Sequence, residues 1–227
     1  MEAENEPPRP VQRLRLTFTK EGATRYIGHL DLARALERAL NRAGLPVAYT
    51  QGFNRRPRLS LAAALPLGYT SAAEVGDVWL LEPVAPEAFH ARLMARMAPG
   101  ITITAVREVP LSSPSLQQSM AESRYEVGFL DPVDADHLRL AVAGVLNAET
   151  LPRTRQRKDG KRQVFDLRPL ILEMAVDETD EGPRLRLRLV QTATQSGRPD
   201  DVLAALGFDP LDARVHRVGL EFAEGVP

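Results

Sequence analysis

The 227-residue chain contains no cysteine. That absence removes disulfide bridges, thiolate zinc sites, a thiol nucleophile and cysteine-ligated iron-sulfur clusters from this polypeptide. Histidine is also scarce. His29, His90, His137 and His216 lie far apart and form no H-x-x-x-H pair, so their spacing indicates no metal site. No apolar run approaches the roughly 20 residues of a membrane-spanning helix. The opening MEAENEPPRP is acidic and proline-rich where a secretory leader would be basic and then apolar, so a cytoplasmic location with no membrane association is expected. Neither charge dominates: 29 Lys and Arg against 30 Asp and Glu leave a formal net charge of -1. A uniformly basic surface is excluded by that balance, but a basic face offset elsewhere is not. Walker loops, G-x-G-x-x-G and nucleophile elbows are absent as well.

What remains is the composition of a globular protein, 44% hydrophobic and 26% charged. The length permits two small domains of about 100 residues each. Residues 1–10 read as a disordered lead. Leu14, Leu16 and Phe18 then alternate with Arg13, Arg15, Thr17 and Thr19, the period of a half-buried strand, whose polar face would carry the two arginines. Leu32, Leu36 and Leu40 give the stripe of a helix over about Leu30–Ala43, closed by Gly44 and Pro46. Strands follow at Leu59–Leu67 and Val75–Leu81. A second helix is expected over Glu87–Met97, and a closing strand holds Ile101, Ile103 and Ala105. This β-α-β-β-α-β order is the split βαβ, or ferredoxin-like, arrangement.

Residues 111–123 are poor in large apolar side chains and read as a linker. The grammar then repeats: a strand at Arg124–Phe129, a helix at Asp136–Asn147, a strand pair at Val164–Asp177 and Arg184–Val190, a helix at Asp200–Leu206 and a strand at His216–Phe222. The expected fold is therefore α+β, with two tandem ferredoxin-like domains over 11–110 and 124–223 and a short tail at 224–227.

The chemistry on offer is cationic. Arg34, Arg38 and Arg42 stand four apart on the first helix, and Phe53, Asn54, Arg55, Arg56 and Arg58 follow in a turn. Guanidinium forks suit phosphate, and an exposed aromatic can stack on a base, so the group fits RNA; a solvated helix surface is the plainer alternative. In the second half RTRQRKDGKR places Arg153, Arg155, Arg157, Lys158, Lys161 and Arg162 around Asp159-Gly160, the signature of a hairpin tip. Arg184, Arg186 and Arg188 add a row opposite Leu185, Leu187 and Leu189. Arg168, two residues after Asp166, would be held by that carboxylate or clamp a phosphate. His29, beside Gly28 at a helix entrance, suits ligand contact first and general acid-base catalysis second. His90 reads as a boundary residue.

The stretches RYIGHLDLARALERALNRAGLP, AYTQGFNRRPRLS and FDLRP resemble a bacterial family described as radical SAM-linked, whose members occur beside or fused to a radical S-adenosylmethionine protein. The similarity runs from Arg13 to Phe222, with Gly28 and Arg55 departing from the Ser and the Pro or His more usual there. It implies no cofactor on this chain, and a partner that carries S-adenosylmethionine and an iron-sulfur cluster. The tandem plan with an early helix-entrance histidine is also similar to the repeat-associated RNA-processing endoribonucleases of CRISPR systems. The combined expectation is an RNA-binding accessory protein, non-catalytic on its own, that presents structured RNA such as ribosomal or transfer RNA to a radical SAM partner. A metal-independent endoribonuclease using His29 and a protein-protein adaptor for an acidic partner are the alternatives.

Overall fold

A computed structural model describes residues 8–156, 160 and 162–223. Its architecture is α+β, and the chain divides into two compact units with the boundary between Gln118 and Ser119.

The first unit runs β1 (Gln12–Lys20), α1 (His29–Arg42), β2 (Leu59–Leu61), β3 (Thr70–Leu80), α2 (Pro86–Met94) and β4 (Ile101–Val109). Its sheet is antiparallel throughout: β1 pairs with both β3 and β4, and β2 pairs with β3, giving the order β4-β1-β3-β2. The alternation of β1 turns Leu14, Leu16 and Phe18 to one face. They join Leu32, Leu36 and Leu40 of α1 and Phe89 and Leu93 of α2 in one buried cluster. Each such side chain contributes roughly 1.5 to 3 kcal/mol when fully buried. Helix α1 starts from an extended Gly28 that offers no side-chain cap, and Asp31 in its first turn faces the positive end of the helix dipole. The strand expected over Leu59–Leu67 is shorter than its pattern: β2 ends at Leu61, and Pro66 and the left-handed Gly68 carry the chain through a turn.

Residues 113–117 are ordered against this unit. The carbonyls of Ser113 and Pro114 accept hydrogen bonds from Arg13, Leu116 is fully buried, and Gln117 Nε2 donates to Ser60 Oγ at 3.0 Å. A four-residue helix, α3 (Leu116–Ser119), spans the boundary in the chain.

The second unit contains β5 (Met120–Phe129), α4 (Ala135–Asn147), β6 (Pro152–Gln156), β7 (Arg162–Asp166), β8 (Ile171–Thr179), β9 (Gly182–Val190), α5 (Pro199–Leu206) and β10 (Ala213–Phe222). Its main sheet has the antiparallel order β10-β5-β9-β8. Strands β6 and β7 pair only with each other among the described residues, as a separate ribbon inserted between α4 and β8. With that ribbon set aside, both units place their four strands in the same relative order. The continuous strand expected over Val164–Asp177 is interrupted by a 3-10 turn at Arg168–Leu170, where Pro169 cannot donate to a ladder. Asp166 holds the turn by accepting from the backbone N–H groups of Leu151 at 2.7 Å and Arg168 at 3.0 Å.

Candidate nucleic-acid interface

The turn QGFNRRP is the tip of a small hairpin. Ala48 and Arg58, then Thr50 and Arg56, are bonded across it, with Arg58 N donating to Ala48 O at 2.6 Å and Thr50 N to Arg56 O at 2.8 Å. Gly52 adopts a φ of 128°, a conformation that disfavours any side chain at this tip. Phe53 projects with 103% relative exposure, so its ring touches solvent on every side. Asn54, Arg55 and Arg56 are exposed beside it. The root of the loop is fastened twice. Tyr49 Oη donates to Asn41 Oδ1 at 2.7 Å, tying the hairpin to the last turn of α1, and the Arg58 guanidinium lies 4.5 Å from the centre of the Trp79 ring. Arg38 precedes Asn41 by three positions and therefore lies on the same side of the helix.

Trp79 leads to a buried network. Arg13 also lies over its ring, at 4.9 Å, and donates through Nε to Asp77 at 3.0 Å; Arg15 Nε donates to the other Asp77 oxygen at 2.9 Å. Arg13 and Arg15 are only 2% exposed and Asp77 is wholly buried. The two arginines therefore do not extend a basic sheet face as expected. Register places Asp77 opposite Arg15 on β3, and the carbonyls of 113 and 114 complete Arg13's bonding, so both charges are consumed internally. Arg107 lies opposite Arg15 on β4; partial desolvation and then the nearby Arg15 push its pKa below the ordinary value, while Asp77 acts the other way.

Partnership sorts the remaining cations. Arg34 pairs with Asp31 at 3.1 Å, and Arg42 donates to the carbonyl of Arg96 at 2.9 Å. Arg38 and Arg55 have no side-chain partner among the described residues, and Arg56 is held only through its backbone. His29 is half-buried at the first position of α1, and no cluster of three or more metal-ligating side chains occurs among the described residues. His90 bonds the carbonyl of Ile103 at 2.9 Å, in keeping with a boundary residue.

In the second unit the RTRQRKDGKR segment supplies most of β6 and the first residue of β7, but Arg157, Lys158 and Lys161 lie outside the described residues. Arg162 is exposed. Arg155 is not free: it donates through Nε to Asp201 at the start of α5 at 3.0 Å and lies 4.2 Å from the Phe165 ring centre. Arg153 donates to the carbonyl of Pro152, and its Nε is buried with no partner among the described residues. The Asp166 side chain caps backbone, and the Arg168 guanidinium donates instead to the carbonyls of Leu146 at 3.1 Å and Ile171 at 3.2 Å. Arg184, Arg186 and Arg188 form the expected row, but Glu126 and Glu181, then Asp177, then Glu122 and Glu173 pair with them in turn. Among the expected site residues of the first unit, Arg38 and Arg55, without side-chain partners among the described residues, thus lie with the uncovered Phe53 on α1 and its hairpin. Sequence reasoning overlooked Trp79, the anchor of that loop; its place as the sole tryptophan was the available signal.

Among solved structures, a Cbf5-Nop10-Gar1 complex is similar over 93% of this chain and 50% of that chain, at 10% identity and a TM-score of 0.47. An archaeal box H/ACA sRNP Nop10-Cbf5 complex is similar over the same shares at 12% identity and a TM-score of 0.41. This chain therefore spans half the length of those chains, and likenesses so distant do not bear on function. No curated protein matches. A family model does match residues 13–199, and the chain belongs to that family, described as an uncharacterized protein conserved in bacteria (DUF2344).

Proposed function

We propose that the protein is a cytoplasmic RNA-binding accessory protein, built from two tandem ferredoxin-like domains, that presents structured RNA to a radical SAM partner. One observation carries the RNA reading: the fully exposed Phe53 on a hairpin with Asn54, Arg55 and Arg56, anchored to the arginine-bearing α1. Guanidinium groups track phosphates, an open ring stacks on any base, and an amide can read a base edge. The shared strand order of the two units supports the tandem fold. The motif resemblance supports the radical SAM partner, which would hold S-adenosylmethionine and the iron-sulfur cluster that a cysteine-free chain has no thiolates to ligate. The β6-β7 ribbon with Arg162 is the second unit's contribution, whereas Arg155 and Arg168 serve it through their internal contacts.

Filter binding of ribosomal and transfer RNA at rising salt tests the reading. Affinity should fall steeply with salt. Phe53→Ala should weaken it about 5- to 150-fold, the equivalent of one lost stack of roughly 1 to 3 kcal/mol. Arg55→Glu with Arg56→Glu should weaken it further and flatten the salt dependence. Absence of retention at low salt, or indifference to all three substitutions, would refute the reading. Cleavage of the RNA that His29→Ala abolishes would instead make the protein an endoribonuclease.

A further inference from the structure

Three side chains stand in a row across the sheet at the root of the hairpin. Arg13 of β1 lies opposite Trp79 of β3. On the other side of β3 the Trp79 N–H donates to the Arg58 carbonyl at 3.2 Å, one step before the Leu59-Val78 pair of β2. Both guanidiniums lie over the indole, Arg13 at 4.9 Å from the ring centre and Arg58 at 4.5 Å. Their charges are met differently. Arg13 is buried and closes on Asp77 and the carbonyls of Ser113 and Pro114, so its donors are spent. Arg58 is exposed, and the ring is the one partner of its side chain among the described residues.

A guanidinium stacked on an indole keeps its N–H groups in its own plane, where they remain able to donate. The stack also removes freedom that an exposed arginine would otherwise lose on binding, so Arg58 meets an anion already oriented. Arg56 extends this. Pro57 between them is buried and bridged to Tyr49, whereas Arg56 and Arg58 are both exposed, which is the alternation of a strand. The two arginines therefore leave one face of the hairpin with Cα atoms about 6.8 Å apart, an interval that neighbouring phosphates of an extended strand can match. Phe53 at the tip imposes a further condition. Its open ring stacks only on a base that has given up a neighbour, which single strands, loops and bulges offer and an A-form duplex does not.

We infer that the hairpin takes a single-stranded stretch of RNA, with a base on Phe53 and successive phosphates on Arg56 and Arg58, and that Trp79 is the positioning residue that holds Arg58 for its phosphate. This rests on the RNA reading of the hairpin and narrows it to unpaired RNA. Asp77 has an indirect part: by neutralising Arg13 it lets a second guanidinium share the ring without net repulsion. Lysine is no substitute for Arg58, because an ammonium brings neither a flat face nor a fork of donors.

Anisotropy titration of the full chain with a mixed-sequence RNA strand of roughly 16 nucleotides, free and annealed to its complement, tests this. The free strand should bind about tenfold more tightly than the duplex, the equivalent of one stacked base. Its binding should also change the emission of Trp79, the single tryptophan. Arg58→Ala, at an exposed position, should keep the far-UV spectrum of the parent and weaken strand binding about tenfold or more, and Arg58→Lys should recover little of that loss. Trp79→Leu should weaken binding as much as Arg58→Ala, and Trp79→Phe, which keeps a ring, much less. Because Trp79 acts through Arg58, Trp79→Leu added to Arg58→Ala should cost nothing more. Equal affinity for strand and duplex, unchanged emission, a silent Arg58→Ala, full recovery in Arg58→Lys, or a further loss in the double variant would overturn this inference and leave the RNA reading standing. Failure to bind the strand and ribosomal and transfer RNA alike would refute both.

Discussion

The two units treat an identical sequence signal in opposite ways. RLRLTF in β1 and RLRLRLV in β9 both alternate arginine with large apolar residues, and both place the leucines in a core. In β1 the arginine face is covered: Arg13 and Arg15 close on the buried Asp77, under the carbonyls of residues 113 and 114. In β9 the face stays open, and Arg184, Arg186 and Arg188 sit among five carboxylates at exposures near one half. The first arrangement joins strand to strand and, through Trp79, props the Phe53 hairpin. The second is a solvated lattice in which water screens every pair. Alternating arginine therefore signals a strand and says nothing about what lies over it.

Substitutions can break that contrast. The largest effect should come from Asp77→Asn, which leaves two buried guanidiniums around a neutral side chain; a loss of about 3 to 5 kcal/mol in urea unfolding is expected, the cost of opening a buried ion pair. The same variant should loosen the Arg58-Trp79 contact, visible as a change in the emission of the single tryptophan. Asp201→Ala tests an intermediate case, because the Arg155-Asp201 pair is partly buried, and a loss of about 1 to 2 kcal/mol is expected by the same measurement. Arg186→Ala on the open face should cost less than about 1 kcal/mol, and 1 M salt should erase the difference. If Arg186→Ala matched Asp77→Asn, the open face would be as structural as the covered one.

Much of the fold was legible because its signals are local. The leucine stripe of α1 and the Gly44-Pro46 stop place that helix within one residue of His29–Arg42. The hairpin expected in RTRQRKDGKR is legible in its flanks, where β6 and β7 pair as a ribbon, while Asp159 lies outside the described residues. Pro169 divided one expected strand into two, whereas β2 stops at Leu61, five residues ahead of Pro66. The candidate site was legible in its hairpin, where Phe53, Asn54, Arg55 and Arg56 are all exposed, and illegible in its boundaries. Arg155 looks like a free cation in the chain and Arg168 like one held by Asp166 or open to a phosphate, but the first meets a carboxylate 46 positions away and the second the carbonyl of Leu146.

Helix stripes, strand alternation and the absence of thiol chemistry follow from the order of residues, because each depends on neighbours within a few positions. Which arginines remain available follows only from the tertiary fold. A guanidinium is free or spent according to the carboxylates and carbonyls that packing delivers to it, and Asp77 reaches Arg13 across 64 positions of chain. The same holds for the segment around Leu67, which meets the one around Tyr26 only because Gly68 bonds to Arg25.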